Sequence, residues 1–422
     1  MMTDAKQPVA GASTVRGRLL IISQVYVPDP AAVGQHLADV AEEMARRGWH
    51  PVVFTSERGY DDPTRSYPVR EYRSGVDIRR LPFSSFGKRS ISIRLVAQCL
   101  FLAQALFMGL FAPKPDVILV STSPPVAGFI GALLSWMRRV PFVWWVMDIN
   151  PDQMIATGKI PPTSLAVTLF HWLNRITLRM ATKVVTLDDF MARRLEAKEP
   201  IGNRLAVIPP WSHAEPPDAA LPAENTFRRR HGLEGKFVVM YSGNHALQHP
   251  LDTLLDTAAS FEHDPKIVFV FVGGGAGKVE VERRIEAGAK NLRSLPYQPL
   301  VQLQETLAAA DVHVVSMGNN MVGIVHPCKI YGILAIGRPV LFIGPLESHA
   351  GQIVGSHRLG WQVDHGNFQA TSTALAHAIS LPAPDRHSLC QASVAFSRKQ
   401  FPHLRLSCDF CDILAMARPR GR

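Results

Sequence analysis

The stretch GIVHPCKIYGILAIGRPV, residues 323–340, carries the signals of a helix that leads directly into a buried strand. Pro327 suits the first turn of a helix, because the N–H group that proline lacks would have no helical partner there. Gly337 suits the end of that helix, and Pro339 then begins an apolar run. The stretch therefore predicts one helix–strand unit, with Lys329 in the first helical turn.

The same unit recurs along the chain. Continuous Val, Ile and Leu runs alternate with helical patterns, such as that of residues 36–46, and this alternation is typical of a parallel sheet covered on both faces. We therefore predict an α/β protein with two Rossmann-like, doubly wound domains that face a cleft. The predicted strands are 19–23, 51–55, 77–81, 116–121, 141–147 and 183–187, then 237–241, 267–272, 312–316, 339–343 and 361–363.

The proline-rich segment EPPDAALP, residues 215–222, interrupts this alternation and is the predicted linker. It separates an N-terminal Rossmann-like domain, residues 18–214, from a C-terminal Rossmann-like domain, residues 223–393. Residues 1–17 are predicted to be a disordered tail, since they are polar and contain no apolar secretion signal. Residues 394–422 are predicted to form a helical tail that returns to the N-terminal domain.

The charge balance and the cysteine content limit the kinds of ligand and the cellular compartment that we expect for this protein. The 422 residues include 45 Lys and Arg against 35 Asp and Glu, so the formal net charge is +10. This balance favours phosphorylated ligands or an anionic membrane surface. Nucleic acid is not an expected partner, because the basic residues are dispersed and no nucleic-acid-binding module is recognisable. Five scattered cysteines favour a reducing compartment, and Cys408 with Cys411 lacks a second ligand pair for zinc.

The run LVAQCLFLAQALFMGLFA, residues 95–112, resembles a membrane element. It is interrupted only by two glutamines and is flanked by Arg94 and Lys114. A transmembrane helix needs about 20 apolar residues, so length alone leaves the assignment open. The next strand, 116–121, must rejoin the sheet begun upstream, and this argues against a span. A helix that packs on the core and a helix that also leans on the membrane surface both stay open.

Three loops that follow predicted strands contain glycines, which let an anion approach backbone N–H groups. The first loop leads into a helix, the second reads SGNHALQH, and the third reads GGGAGK and lacks the full Walker pattern. Plain turn glycines and ordinary surface histidines are the alternative interpretation. The candidate residues of these loops are Gly34, Gly243, Asn244, His245, Gly273, Gly275 and Lys278.

Charged side chains follow two further predicted strands. A cation such as Lys329 in a first helical turn is unfavourable by about 0.3–1 kcal/mol, and a bound diphosphate would offset this cost. A solvated lysine is the alternative. Asp148 and Asp152 follow the strand 141–147, at the edge of the sheet where ligands bind. They could bind hydroxyls, accept a proton or coordinate a cation, and Asp152 could equally cap a helix.

In their order and spacing, these motifs resemble those of glycosyltransferase family 4, which has the GT-B fold of two Rossmann domains. The resemblance is strongest to the branch that builds bacterial polysaccharides on lipid carriers, and it runs from Leu19 to near Phe401. It depends on Tyr26-Val-Pro with Gly34, Ser121-Thr-Ser-Pro-Pro125, Asp148-Ile-Asn-Pro-Asp152, Ile208-Pro-Pro-Trp211, Tyr241-Ser-Gly-Asn244, and Pro327-Cys-Lys-Ile-Tyr with Gly337-Arg-Pro.

The resemblance implies that the second domain holds a nucleoside diphosphate sugar and that the first receives the acceptor. It implies that Lys329 contacts the diphosphate, that Gly34 offers backbone donors to it, and that Asp148 lies beside the reacting centre. It also implies no metal and no cofactor, because cationic side chains and helix N-termini stabilise the departing diphosphate. Tyr331 joins the implied donor-binding residues, and the implied acceptor-binding residues are Tyr26, Asp148 and Asp152.

The sequence departs from the family pattern at two positions, and this departure concerns the nucleotide of the donor. Many family members carry two glutamates, eight residues apart, at the positions of Ile324 and Gly332, and the second commonly holds the ribose. The nucleotide therefore stays open. We predict a retaining, metal-independent transferase of a hexose or N-acetylhexosamine. Its acceptor is a lipid-diphosphate-linked or polysaccharide glycan, and it works in the cytoplasm at the inner face of the membrane. The alternatives are a nucleotide-sugar epimerase of the same fold and a non-catalytic scaffold that binds a nucleotide sugar.

Overall fold

The structure is a computed structural model that describes residues 15–59, 64–84, 91–214 and 225–418. The predicted linker, 215–222, and residues 1–14 of the predicted tail lie outside the described residues. The chain divides into two compact units. The first unit is Met1–Trp144 together with Cys411–Arg422, and the second is Trp145–Phe410. The predicted domain boundaries follow a different division and stay predictions.

The first unit contains a largely parallel sheet. Its strands are β1 (Gly17–Ile22), β2 (Trp49–Ser56), β3 (Arg70–Arg73), β4 (Val76–Leu81), β5 (Val117–Ser121) and β6 (Phe142–Trp145), whose last residue begins the second unit. They lie in the order β3-β4-β2-β1-β5-β6. The pairs β1–β2, β1–β5 and β2–β4 are parallel, and only the edge pair β3–β4 is antiparallel among the pairs described. Every residue of β5 is buried, as the apolar sequence VILVS predicts for a central strand.

Helices connect these strands. They are α1 (Ala32–Arg46), α2 (Ile91–Phe111) and α3 (Ala127–Arg138). Helix α1 begins four residues before the predicted start at His36, so that Gly34 lies inside its first turn. Helix α2 fills the connection between β4 and β5, and its inner face is formed by Ala97, Phe101 and Ala105, each almost wholly buried. Gly109 continues this face, since a side chain there would meet Leu134 of α3.

The second unit contains a short strand pair and a six-stranded sheet. Strands β7 (Lys183–Thr186) and β8 (Leu205–Val207) pair in parallel. The sheet has the order β11-β10-β9-β12-β13-β14, and every neighbouring pair in it is parallel. Its strands are β9 (Phe237–Asn244), β10 (Ile267–Gly274), β11 (Leu292–Leu295), β12 (Val312–Ser316), β13 (Val340–Ile343) and β14 (Gly360–Val363).

The six-stranded sheet is buried on both faces. In β10, Phe269 and Phe271 point into one apolar cluster, whereas Val268, Val270 and Val272 point into another. This alternation explains why the strands read as continuous apolar runs.

The helices of this unit are α4 (Asp152–Ala156), α5 (Leu165–Met180), α6 (Asp189–Lys198), α7 (Thr226–Arg230), α8 (Asp252–Ser260), α9 (Lys278–Glu286), α10 (Leu303–Ala308), α11 (Lys329–Ala335), α12 (His349–Ser356), α13 (Phe368–Ser380), α14 (Ala383–Gln400) and α15 (His403–Ala417).

Two parallel sheets with helices between their strands confirm the predicted α/β class with two Rossmann-like domains. Strands β3, β8 and β11 were not predicted. Each has only three or four residues, and only one of the eleven, Leu292, is buried; β3 and β11 also contain charged or polar residues, and the apolar run of β8 is only three residues long. The helix–strand unit of residues 323–340 is confirmed, with Lys329 in the first turn of α11, Gly337 after its end with φ +70° and β13 beginning at Val340. The position of Pro327 was predicted wrongly, because it precedes the N-cap residue Cys328 and lies outside the helix.

The end of the chain lies against the first unit. From Cys411 onward α15 belongs to that unit, where the Cys411 thiol donates to the carbonyl of Val40 and Arg47 donates to Asp412. Arg418 forms an ion pair with Asp116 at 3.3 Å, directly before β5. The five cysteines, all within the described residues, form no disulfide bond.

The two faces of α2 provide a matched stability test. Phe101 is fully buried on the inner face, so Phe101→Ala leaves a cavity and should lower the free energy of unfolding by about 3–5 kcal/mol. Phe107 is 64% exposed on the other side of the same helix, and Phe107→Ala should change it by no more than about 0.5 kcal/mol. Urea unfolding of both variants measures the difference. Equal losses would mean that α2 does not pack through its inner face.

Candidate active site

The ends of β9 and β10 bring two of the predicted glycine loops together. The strands pair in parallel to their last residues, with Gly273 opposite Gly243 and Gly274 opposite Asn244. Gly273 has φ +129°, and a Cβ there would lie 2.1 Å from the carbonyl oxygen of Gly243, so only glycine fits. Gly275 is equally constrained, since a Cβ would lie 2.4 Å from Asn244 Oδ1. The two loops form one backbone surface at the carboxyl edge of the sheet.

Lys329 extends from the start of α11 to this surface. Its Nζ is buried and lies 3.6 Å from the centre of the Tyr241 ring, and its Cε lies 3.5 Å from where a Cβ of Gly243 would be. Within the described residues, Nζ has no hydrogen-bond partner. Burial lowers the pKa of Lys329 to about 7. A lysine charge here is therefore costly until an anion accompanies it.

Two histidines lie beside this lysine. Burial, with the Lys329 charge as the next cause, lowers the pKa of His245 to about 4 and that of His249 to about 3. Both rings are therefore neutral at pH 7, and they can bind a ligand only as neutral hydrogen-bonding groups. His245 also shapes the loop, because its N–H donates to the carbonyl of Gly274 and its carbonyl accepts from Gly277, both at 2.7 Å.

Lys278 makes a contact that the sequence interpretation did not include. It is the first residue of α9, and its Nζ donates to the carbonyls of Gly273 and Leu295 at 2.9 and 3.0 Å. The ammonium group thus ties the glycine loop to β11. Its predicted contact with phosphate stays a prediction, and Lys329 is the better placed of the two cations.

Asp148 belongs to the same unit as Lys329 and lies next to the segment that precedes α11. The N–H group of Ile149 donates to the carbonyl of Ile324 at 2.9 Å. Burial raises the pKa of Asp148 to about 6, and the nearby His326 partly offsets this effect. Burial followed by the Asp148 charge raises the pKa of the Cys328 thiol to about 12. The structure therefore brings a carboxyl group with a raised pKa to the residues next to Lys329.

Asp152 has a structural role that the sequence did not reveal. It is the first residue of α4, after Pro151 at the N-cap position, so the helix-cap alternative is wrong. Its carboxylate pairs with Arg194 at 3.0 Å and Lys198 at 2.7 Å. Burial favours a higher pKa, but these two partners outweigh it and lower the pKa of Asp152. Its predicted contact with the acceptor stays a prediction.

Sequence reasoning missed a buried chain of hydrogen bonds around Tyr331. Asp188 Oδ2 lies 2.6 Å from His326 Nδ1, and His326 Nε2 lies 2.6 Å from the Tyr331 hydroxyl. The same hydroxyl lies 3.2 Å from His349 Nε2. Burial holds the pKa of Tyr331 well above its ordinary value, so the phenol stays protonated. The chain of contacts fixes the segment that carries Lys329.

Only part of this network had a sequence signal. His326 stands directly before Pro327 in the helix-start motif, where it could have been identified as a second candidate. Asp188 is 138 residues away along the chain and also caps α6, because its Oδ1 accepts from the N–H group of Met191. No spacing rule connects the two positions.

Tyr26 and Gly34 contact each other in the first unit. A Cβ at Gly34 would lie 3.0 Å from Tyr26 Cα, so glycine lets the loop before α1 fold back on the helix. Tyr26 is only 2% exposed, and burial raises the pKa of its phenol. The tyrosine is thus part of the packed interior around the loop. The predicted roles of both residues toward donor and acceptor stay predictions.

The buried Asp188–His326 pair predicts a large loss of stability when one partner is removed. Asp188→Ala deletes the α6 cap and leaves His326 without its acceptor, so the free energy of unfolding should fall by about 3–5 kcal/mol. Asp189 is exposed at the next position, and Asp189→Ala should cost less than about 1 kcal/mol. Urea unfolding compares the two, and similar losses would contradict a structural role for the pair.

From the lowered pKa of Lys329, we predict that the free energy of unfolding depends on pH. Its pKa is about 7 in the folded chain against the ordinary value of 10.5, so between these values the unfolded chain binds more protons. The free energy of unfolding of the wild type should therefore rise with pH across this range, relative to Lys329→Met. Urea unfolding of both proteins at several pH values measures the difference. Parallel pH profiles would show that the ammonium group is not buried in the folded state.

Comparisons with known proteins show which proteins this chain resembles. The sequence profile described as the glycosyl transferase 4-like domain matches residues 31–211. The probable glycosyltransferase WbjE of Pseudomonas aeruginosa is 24% identical over 349 residues, which are 82% of this chain and 85% of WbjE.

Two solved structures have the same architecture. HepE from Anabaena, crystallised with UDP-glucose, superposes with a TM-score of 0.69 at 14% identity, over 95% of this chain and 100% of HepE. WaaG, a glycosyltransferase involved in lipopolysaccharide biosynthesis, gives a TM-score of 0.69 at 14% identity, over 94% and 99% of the two chains. At these identities the likeness shows the fold, and the family profile and the curated relative show the activity class. The chain has the GT-B fold of glycosyltransferases, and its residues 31–211 match the glycosyl transferase 4-like domain.

Proposed function

We propose that the protein is a retaining, metal-independent glycosyltransferase of cell-surface glycan synthesis. It moves a hexose or N-acetylhexosamine from a nucleoside diphosphate sugar to a lipid-diphosphate-linked or polysaccharide acceptor. One observation carries the proposal: the ammonium group of Lys329 is buried beside Gly243, at the joined ends of β9 and β10, with no hydrogen-bond partner in the described residues. A cation held in this way next to exposed backbone suits a diphosphate.

The donor site would use a lysine whose charge depends on the ligand. At a pKa of about 7 the free enzyme holds Lys329 only partly protonated near neutral pH. The negative charges of a diphosphate raise the pKa of an adjacent lysine, so donor binding would take up a proton. The charge is then in place when the bond between the anomeric carbon and the diphosphate breaks, where it stabilises the departing oxygen.

Asp148 suits the acceptor side of the reaction. With a pKa of about 6 it is mostly ionised at pH 7 and more basic than an exposed aspartate. As the acceptor oxygen bonds to the anomeric carbon, the hydroxyl proton must pass to a basic oxygen. In this proposal that oxygen belongs either to the departing phosphate or to Asp148, and no metal takes part.

The base and ribose site stays open in this proposal. Ile324 is buried and its carbonyl accepts from the N–H group of Ile149, whereas Gly332 is half-buried, and a Cβ there would lie only 3.3 Å from Leu307. Neither position offers a carboxylate to a ribose. HepE was crystallised with UDP-glucose, which supports a uridine donor as the first to be tested.

The test is incubation of the full-length protein with labelled nucleotide sugars and a membrane lipid extract, with and without EDTA. We expect label in the lipid fraction in both conditions and an anomeric configuration that NMR shows to be retained. Isomerised donor without acceptor would indicate the epimerase instead. Donor binding without turnover would indicate the scaffold.

The lysine test uses the same assay. Lys329→Met removes the cation beside the diphosphate and should lower kcat/KM by about 10²–10³-fold, the usual loss for a group that stabilises transition-state charge. Lys290 is exposed, and Lys290→Met should retain wild-type kinetics. Wild-type turnover by Lys329→Met would remove the basis of the proposed donor site.

A further inference from the structure

Helix α2 is apolar on two opposite sides, although only one side packs against the protein. The inner face is buried through Ala97, Phe101 and Ala105. On the other side the exposed fractions are 54% for Val96, 64% for Phe107 and 75% for Phe111. A helix that is hydrophobic all round normally lies inside a large core or in contact with lipid. From the sequence, α2 could be either a helix that packs on the core or one that also lies on a membrane surface. Packing on the core accounts for the inner face of α2 but not for the apolar residues on its exposed side.

The neighbouring helix extends this apolar surface. Trp136 and Met137 in the last turn of α3 are 69% and 48% exposed. They stand next to Arg138, whose side chain donates to the carbonyls of Gly109, Leu110 and Ala112 at the end of α2. Six of the exposed apolar residues of the two helices are here called the outer face, which consists of Val96, Leu100, Phe107, Phe111, Trp136 and Met137.

The segment that carries the outer face is mostly basic. Residues 94–144 contain four basic residues, Arg94, Lys114, Arg138 and Arg139, and one acidic residue, Asp116. That carboxylate is already engaged by the N–H group of Arg18 and by Arg418. Lys114 and Arg139 are exposed close to the ends of α2 and α3. An acidic surface would therefore meet basic side chains with no local repulsion.

The order of the strands in the sheet limits how α2 can contact a bilayer. Within the described residues, the segment 93–111 is the one helix long and apolar enough to cross a membrane, and 22% of its most apolar window is buried. The strands before and after it, β4 and β5, belong to one sheet, separated only by β2 and β1. Gln104 donates to the carbonyl of Pro82 at 2.8 Å, which fixes the middle of α2 to the end of β4. Both ends of α2 thus stay on the same side of a bilayer.

We propose that the outer face docks onto an anionic lipid bilayer, with α2 lying in the plane of the headgroups. The apolar side chains enter the acyl boundary, Trp136 sits at the polar interface, and the flanking Lys and Arg contact acidic headgroups. A lipid surface fits better than a protein partner, because the face is long, apolar and bordered mostly by basic residues. The inference deepens the proposed function and rests on it for an acceptor at a membrane.

The experiment is flotation of the full-length protein with vesicles of phosphatidylcholine, with or without 30% phosphatidylglycerol, in the absence of any nucleotide sugar. We expect binding to the anionic vesicles, weaker binding to the neutral ones, and release by about 1 M NaCl, at which surface charges are screened within roughly 3 Å. Phe107→Glu should weaken binding by at least about tenfold, since it places a charge where an apolar ring would enter lipid. Val301→Glu is the matched control, because Val301 is 93% exposed in the second unit.

The outcomes separate this inference from the proposed function. Both variants should keep the wild-type unfolding midpoint, since both side chains face solvent in the free protein. Loss of binding in Phe107→Glu alone supports the inference, even if no transferase activity is found. No binding to either vesicle, equal binding by Phe107→Glu, or binding that resists salt would overturn it. A dimer in gel filtration that Phe107→Glu dissociates would also overturn it, because the face would then join two copies.

Discussion

The parallel register between β9 and β10 is the constraint on which the candidate site depends. Eight consecutive pairs, from Phe237 opposite Ile267 to Asn244 opposite Gly274, bring the ends of both strands to the same level. A shift by one residue would turn Phe269 and Phe271 to the other face of the sheet, away from the apolar cluster that they fill. Core packing therefore fixes the position of these glycines, of which Gly243 lies beside Lys329.

Burying Lys329 opposes the stability of the folded chain. A lysine without an anionic partner in a buried position raises the free energy of the folded chain, and the surrounding structure must offset this cost. The offset comes from groups that are fully bonded, namely the Asp188–His326–Tyr331 chain on one side and the ammonium group of Lys278 on the other. The groups around Lys329 are thus held by hydrogen bonds, whereas its ammonium group has no hydrogen-bond partner in the described residues. Such an arrangement is typical of a functional site.

The parts of this protein that could be predicted from sequence are those encoded by local pattern. Apolar runs predicted the buried strands, and Pro327 with Gly337 outlined α11 to within two residues. The small strands β3, β8 and β11 and the start of α1 could not be predicted in this way, because tertiary pairing rather than local preference determines them. The partner of His326 was equally hidden, since Asp188 reaches it only after the chain has folded. The ion pairs of Asp152 and the carbonyl contacts of Lys278 belong to the same class.

The contact between the two ends of the chain has a consequence for biosynthesis. The first unit includes Cys411, Asp412 and Arg418, which contact Val40, Arg47 and Asp116. The second unit, Trp145–Phe410, separates these residues from the rest of the first unit in the sequence, and at roughly 5–20 residues per second its synthesis takes about 13–53 s. During that time the strands of the N-terminal sheet have been synthesised, but α15 has not, so the surface that α15 covers is still exposed to water. This protein is therefore a stronger candidate for chaperone assistance during translation than its two-domain architecture alone implies.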